Sequence, residues 1–270
     1  MRNKKFLLIL FAFLFWISCE KDSLLENSGG STLLKQVLIE GKVYYEYTYN
    51  KLGLVVEEKS KFHYTKHVYN GKNQLVQSDS YWDERIASSS SYVLEEAMNR
   101  TEWVSPENTE KDVYSTFQYK RNGQLEKRTT YRINNDNSSY SLFAYDKQRR
   151  IARRTSYTDG KATLYDEYSY DSIGNLIKME RFNILGNGSA ELRTTHEYEF
   201  DNKHNPYYSL KGLLIPGQNT NPNNITKDIY TLHFEVDDFI DPIQITEYSY
   251  DYNSEGYPVR NNYSFEFIYD

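Results

Sequence analysis

The stretch YSYDSIGNL, residues 168–176, returns along the chain in altered copies, and this recurrence constrains the fold more than any other feature. Aligned on the second aromatic, the copies place Tyr49, Tyr69, Tyr119, Tyr145, Tyr170, Phe200 and Tyr250 at one anchor position. Two residues earlier stand Tyr47, His67, Phe117, Phe143, Tyr168, Tyr198 and Tyr248. Gly53, Gly123 and Gly174 lie four residues after the anchor, with Asn73 and Arg149 in the same place. Six after it come Val55, Leu75, Leu125, Ile151 and Leu176, and twelve after it Tyr81, Tyr131, Tyr157 and Phe182. The chain holds 27 tyrosines, yet four aromatics at one distant offset are a poor match for chance.

Apart from the turn, these offsets are even, and even spacing puts side chains on one face of a strand. The Asp-x-x-Gly step fits a three-residue hairpin loop, a type I turn followed by a left-handed residue. Glycine adopts that conformation without steric cost. Asp146, Asp171 and Asp251 are read as turn residues whose carboxylates bond the backbone ahead of them. Each copy is then one β-hairpin, with Tyr170 facing Leu176 across the ladder. The two long gaps between anchors predict degenerate units at 90–104 and 234–243, the second turning near Asp241-Pro242. The fold class expected is all-β: an antiparallel meander of about 14–18 strands forming a strongly curved sheet or wide barrel.

With regular alternation, the Tyr168/Tyr170 face continues on the return strand as Leu176, Lys178, Glu180 and Phe182. Neither face is continuously apolar, so a wet interior is expected, held by tyrosines and the stems of Lys and Arg. Charge on both faces argues against a transmembrane barrel, which needs an outward apolar band. Residues 206–226 form the longest non-repeating segment and are read as a cap in one mouth, with Asn219–Asn224 at the surface.

The N-terminus is of another kind. Arg2, Lys4 and Lys5 precede an uncharged, mostly apolar run, Phe6–Ser18, that ends at Cys19, the chain's one cysteine. Thirteen residues rise about 20 Å as a helix, short of the ~30 Å hydrocarbon core, so 1–18 read as a signal peptide. Cys19 is the expected lipid attachment site, although Trp16 stands where a lipobox usually has Leu. Residues 19–33 are a flexible tether and 34–270 one repeat-built β domain. Loss of residues 1–18 leaves 29 basic against 38 acidic residues, a net charge of −9, and no basic run, which argues against nucleic-acid binding.

YSYDSIGNL and FAYDKQRRI resemble the YD repeat of Rhs-like and teneurin-like proteins. DNKHNPYYSLKGLLIPGQNTNPNNITK (201–227) and YDYNSEGYPV (250–259) resemble segments of Bacteroidetes lipoproteins that carry degenerate YD-like repeats. Here His204 replaces a usual Gly, Tyr207 a usual Phe, and one extra residue precedes Gly256. That resemblance implies a β-rich, barrel-like protein of the outer membrane. The short charged run after Cys19, EKDS, resembles a surface-export signal of such lipoproteins.

No reaction is legible. The acidic pairs Glu57/Glu58, Glu95/Glu96 and Asp237/Asp238 read as turn and strand carboxylates rather than the spaced pair a glycosidase needs. His63 and His67 lie ~13 Å apart on an extended strand, too far for one metal. No phosphate loop or nucleophile elbow occurs, so neither metal nor cofactor is expected. Trp82 and Trp103 are the candidate ligand-stacking rings. The expected function is a membrane-anchored envelope lipoprotein acting as a non-enzymatic scaffold or a glycan- or protein-binding module. The competing expectation is a polysaccharide-active hydrolase.

Overall fold

The computed structural model describes residues 32–82, 99–133, 135–234 and 241–270. Cys19, the signal and tether residues through 31, Glu95/Glu96 and Asp237/Asp238 lie outside them, as do most of the degenerate units expected at 90–104 and 234–243.

The described residues form one compact unit, with seventeen strands among them in a single antiparallel sheet. They are β1 (Leu34–Ile39), β2 (Lys42–Tyr49), β3 (Val55–Lys59), β4 (His63–Tyr69), β5 (Leu75–Trp82), β6 (Lys111–Tyr119), β7 (Leu125–Arg132), β8 (Asn135–Tyr145) and β9 (Ile151–Thr158). There follow β10 (Lys161–Tyr170), β11 (Leu176–Ile184), β12 (Ala190–His204), β13 (Asn223–Leu232), β14 (Ile243–Glu247), β15 (Tyr250–Tyr252), β16 (Pro258–Asn261) and β17 (Phe265–Tyr269). The all-β meander expected from the repeat is thus the fold. Each strand from β1 to β14 pairs with the next, and β17 returns to pair with β1. The ladder has one interruption among the described residues. β14 and β15 are consecutive pieces of one stretch, β14 pairing with β13 and β15 with β16, and no rung joins them.

The turns form as the sequence dictates. Asp171 Oδ1 accepts from the amides of Ile173, Gly174 and Asn175 at 3.0, 2.7 and 2.8 Å, and Gly174 has φ +104°. Asn73 and Arg149 take the same position at φ +61° and +66°. The final copy corrects the expected alignment. Asp251 lies inside β15, paired with Arg260, and is not the turn residue. The turn belongs to Asn253, whose side chain accepts from Glu255 and Tyr257 amides, with Gly256 at φ +82°. By turn position the anchor of that copy is Tyr252, paired with Pro258, while Tyr250 keeps the anchor's hydroxyl bond, donating to Ile225 O at 2.9 Å.

A second correction concerns the faces. In every regular hairpin one residue after the aliphatic is unpaired. Tyr170 pairs with Leu176 but Ser169 with Lys178, leaving Ile177 as a bulge. Val56, Val76, Glu126 and Ala152 repeat it. A bulge of one residue reverses the alternation beyond it. Lys178, Glu180 and Phe182 consequently lie opposite Tyr168 and Tyr170, whose own face continues as Met179 and Arg181. The aromatics twelve after the anchor stack on this other face. Tyr114–Tyr131, Tyr140–Tyr157 and Tyr165–Phe182 have ring centroids 4.6, 4.6 and 4.7 Å apart, planes within 14°. Lys127 sits over Tyr140 and Arg153 over Tyr165.

The anchor tyrosine joins one hairpin to the previous one. Between repeats the ladder stops short of the bulge: the rung nearest the bulge between β9 and β10 is Arg153–Glu167, so Ile151 is not paired with β10. Tyr170 Oη donates to Ile151 O at 2.7 Å and satisfies that carbonyl. Tyr69, Tyr119 and Tyr145 donate likewise to Val55, Leu75 and Leu125 carbonyls at 2.8–2.9 Å. The acceptors belong to a ring of aliphatic side chains, each no more than 6% exposed.

The cap covers that ring. A 3-10 helix, Pro206–Leu213, is started by Asn205, whose side chain accepts from the Tyr207 amide. Leu210 packs among Leu34, Val37, Tyr47, Val55 and Phe267, while Leu214 packs against Ile151, Tyr168 and Leu176. Residues of β2 and β10, eight strands apart in sequence, thus meet one short segment. The Tyr47/Tyr168 face is therefore the inner face of a sheet wrapped around the cap. Asn219–Asn224 are not the surface loop the sequence suggests. Asn219, Asn221 and Asn224 are 1%, 0% and 3% exposed. Asn221 Oδ1 accepts from the Leu176 amide, and Asn223 exchanges two bonds with Asn175. These amides key the cap onto the hairpin turns, where buried backbone must be satisfied.

Candidate ligand-binding site

Moving along the inner face away from the cap, the aliphatic ring gives way to a layer in which aromatic and polar side chains alternate, Tyr47 opposite Glu58, Phe117 opposite Arg128 and Phe143 opposite Arg154, and which becomes wholly polar beyond, at Ser115, Ser141 and Asp166. The bulges put that layer there. On β3, β7, β9 and β11 they turn Glu58, Arg128, Arg154 and Arg181 inward and leave Glu57, Lys127, Arg153 and Lys178 outside.

Three groups make up the layer. His67 lies between Ser78 Oγ at 2.9 Å and Glu58 Oε1 at 2.7 Å. Asp166, fully buried, takes Arg154 Nη2 at 2.5 Å on one oxygen and Arg181 Nε at 2.7 Å on the other. That hydrogen bond raises the Arg181 pKa. His196 Nδ1 stands 2.9 Å from Asp228. Arg128 differs from the other arginines. Its Nε and Nη2 both reach Ser115 Oγ, at 3.3 Å, and no other acceptor among the described residues. The sheet curving around it, and then the Arg154 guanidinium nearby, hold its pKa below the usual arginine value although the side chain stays open to solvent.

The Ser78–His67–Glu58 chain has the composition of a nucleophilic triad, but its setting differs. Ser78 pairs with His67 and Ser115 in mid-ladder, where backbone amides are engaged across strands rather than aimed at a developing oxyanion. Cross-strand neighbours at these positions hydrogen-bond as a matter of register. Glu57 and Glu58, adjacent in sequence, point to opposite faces, Glu57 toward Tyr64 and Glu58 toward His67. They cannot act as a pair.

Between the cap and β12–β17 lies a cavity of about 350 Å³. Tyr198, Tyr250 and Phe267 supply rings, Asp228, Asn221 and Asn224 polar groups. Asn224 Oδ1 is buried without a hydrogen-bond partner among the described residues. Asn221 and the Asn224 amide nitrogen are bonded within the fold, so the tyrosine rings and the Asp228 carboxylate are what a cleft of this size offers a polar ligand ring.

The two tryptophans lie beside the β3–β4 turn, each against its own neighbour. Trp82 closes β5 with its ring 4.1 Å from His63, and is 37% exposed. Trp103 is half-buried, with Lys61 Nζ 4.8 Å over its ring. Sequence reasoning named these rings and missed Arg128, Arg154 and Arg181. The only signal for them was the recurrence of Arg nine or eleven residues after an anchor, legible once the bulge is known.

No protein-family model matches the chain, and no curated protein matches it. Among solved structures, a porin-like protein from Bacteroides uniformis ATCC 8492 is similar at 10% identity and a TM-score of 0.41, over 88% of this chain and 98% of that one. A porin-like protein from Bacteroides vulgatus ATCC 8482 gives 14% and 0.40, over 89% and 99%. The TcdB2–TccC3 structure gives 12% and 0.31, over 84% of this chain, which spans 10% of that one. At these scores none carries an argument about this chain.

Proposed function

We propose that this chain is an outer-membrane lipoprotein of the cell envelope, anchored through Cys19, whose repeat domain is a non-enzymatic module binding a glycan or a protein segment on its inner side. The observation that carries the reading is the cavity beneath the cap, with its aromatic rings and the Asp228 carboxylate. Support for the anchor is the basic, apolar and cysteine order of residues 2–19. Two or more acyl chains bind a membrane stably. The outer face, where Arg153 pairs with Glu167 and Lys227 with Glu199, gives lipid no apolar band to meet.

The test is a glycan array probed with residues 20–270, hydrolysis of the same glycans being followed in parallel, beside palmitate labelling of the whole chain. Binding without turnover, weakened by Tyr198→Ala, is the expected result, together with label lost in Cys19→Ala. Turnover abolished by a single carboxylate substitution in a folded protein would replace this reading with the hydrolase.

A further inference from the structure

The polar layer between β7 and β11 contains a charge excess that the fold does not use. Arg128, Arg154 and Arg181 face it with Asp166 as the one carboxylate among the described residues bonded to any of them. Elsewhere in the layer the acids bond histidines rather than arginines, Glu58 to His67 and Asp228 to His196. Two positive charges are therefore left over on one side of the interior, in a chain whose formal net charge is −6. Arg154 and Arg181 divide Asp166 between them, and Arg128 has a hydroxyl and the Phe117 ring, 5.8 Å from its guanidinium carbon. A guanidinium carries five donors in a rigid fork, and a lone serine oxygen satisfies few of them.

The neighbouring inner positions hold small side chains. Arg128 faces Ser141 across β8, and Ser141 Oγ stands 3.3 Å from Ser156 Oγ on β9. β7 and β9 are about 10 Å apart, with the Arg128 fork turned to Ser115 on β6 and the Arg154 fork to Asp166 on β10, so the floor of serines marks a point between two guanidinium groups. Solvent reaches that point: the Arg154 and Arg181 side chains are 34% and 39% exposed, and Arg128 is exposed as well. Like charges that outnumber their counter-charge are the arrangement that an incoming anion stabilises, by charge-assisted bonds to planar forks.

We propose that this part of the inner face binds an oxyanion, a carboxylate or a sulfate ester, carried on a small polar ligand, with Arg128 as its principal donor and Arg154 beside it. The inference rests on the binding-module reading and names the chemistry of what is bound.

The experiment titrates the full chain in non-ionic detergent with glucuronic acid, N-acetylglucosamine 6-sulfate and neutral N-acetylglucosamine by calorimetry, at low and at raised salt. One of the two anions is expected to bind at least tenfold more tightly than the neutral sugar, and which one binds identifies the oxyanion. Raised salt is expected to weaken it. Arg128→Gln is expected to weaken that binding at least tenfold, and Arg128→Lys less, because the charge stays and the fork is lost. Arg153→Gln, on the outer face, is expected to leave it unchanged. Removing an unmatched cation is also expected to leave the melting temperature unchanged or raised; a lowered melt in Arg128→Gln would show that the fold already satisfies Arg128 and overturns the proposal. Unaltered anion binding in Arg128→Gln overturns it too. If neutral glycans bind and neither anion does, the inference fails and the binding module stands. If no sugar binds here or on the array, both fall.

Discussion

Leu34 and Tyr269, at opposite ends of the folded chain, face each other across β1 and β17 in the relation that Leu176 and Tyr170 hold within one hairpin. The likeness extends to its details. Lys35 is skipped by the pairing as Ile177 is, and the Asp270 amide donates to Leu33 O at 3.1 Å as the Asp171 amide does to Asn175 O at 3.0 Å. Tyr269 Oη donates to Pro258 O at 2.7 Å, the aliphatic position of the preceding repeat. One repeat is thus assembled from the two ends of the domain without a turn. Leu34→Ala, at a fully buried site, is expected to cost about 2–4 kcal/mol. Tyr269→Phe, which orphans a carbonyl, is expected to cost about 1 kcal/mol. Ile268→Ala, on the exposed side of the same strand, is expected to be nearly neutral. Urea denaturation measures all three, and equal losses from Ile268→Ala and Leu34→Ala would dissolve the relation.

The turns differ in how well they are capped, and the difference can be exploited. Burial works to raise the Asp171 pKa, but the donors of Asn175, Gly174 and Ile173 outweigh it, so the net shift is downward. A carboxyl depressed in the folded state stabilises above its unfolded value and loses that contribution as pH falls through the folded one. Asp171→Ala is expected to cost about 1–3 kcal/mol near neutral pH, and the gap from wild type is expected to narrow in acid below about pH 4. Lys120 holds the equivalent place with no acceptor to offer, although the backbone turn forms, the Gly123 amide reaching Lys120 O at 3.0 Å. Lys120→Asp is expected to gain about 0.5–1 kcal/mol at neutral pH. Thermal melts of the two variants at pH 7 and pH 3 check both signs.

His63 makes the fold sensitive to acid in a different window. It is 8% exposed, its Nε2 lies 2.7 Å from Thr65 Oγ1, and its Nδ1 has no partner among the described residues. Burial lowers its pKa to about 4, Glu58 opposing and His67 adding to the shift. The unfolded chain therefore takes up a proton near pH 6.5 that the folded one refuses until about 4, and stability falls as pH drops across that interval. The loss attributable to this group is roughly 3 kcal/mol at most. His63→Phe, which keeps a ring against Trp82, is expected to flatten the decline of melting temperature between pH 6.5 and 4. An unchanged slope would show that another group titrates there.

The hairpin period, the left-handed turn position and the Tyr170–Leu176 pair were legible because each rests on a residue type at a fixed offset. The bulge was not. The residues that occupy it, Val56, Val76, Glu126, Ala152 and Ile177, share no chemistry, since a bulge is a backbone property and its side chain is free to vary. Missing it reversed the faces beyond each turn and hid Arg128 and Arg154 behind Lys127 and Arg153. The last repeat was misaligned because YSYDYN offers two tyrosine doublets, and only the turn at Asn253 and Gly256 shows which is the anchor. Asn219–Asn224 looked like a solvated loop on polarity alone, whereas Asn221 and Asn223 are engaged by Leu176 and Asn175 of the hairpin beneath and Asn219 by Leu210 O within the cap.

The cap's seat depends on one glycine. Gly217 has φ +82°, and a Cβ there would stand 2.8 Å from Leu176 Cδ2, in the aliphatic ring itself. Leu176 is 1% exposed and packed against Ile151 and Tyr168, so it has little room to withdraw. Gly217→Ala therefore combines a left-handed backbone that alanine resists with overpacking of a core leucine, and is expected to cost about 2–4 kcal/mol. The repeats themselves do not contain Gly217, so the strands are expected to persist while the cap shifts. Far-ultraviolet circular dichroism is expected to stay close to wild type, and hydrogen exchange to quicken first at Asn219 and Asn221, whose side-chain bonds to Leu210 O and the Leu176 amide hold the segment down. Gly186→Ala, with nothing within 4 Å of the added atom, is the matched control and is expected to be silent. If exchange quickens uniformly across the sheet in Gly217→Ala, the cap is not a separable element, and the cavity beneath it belongs to the repeats alone.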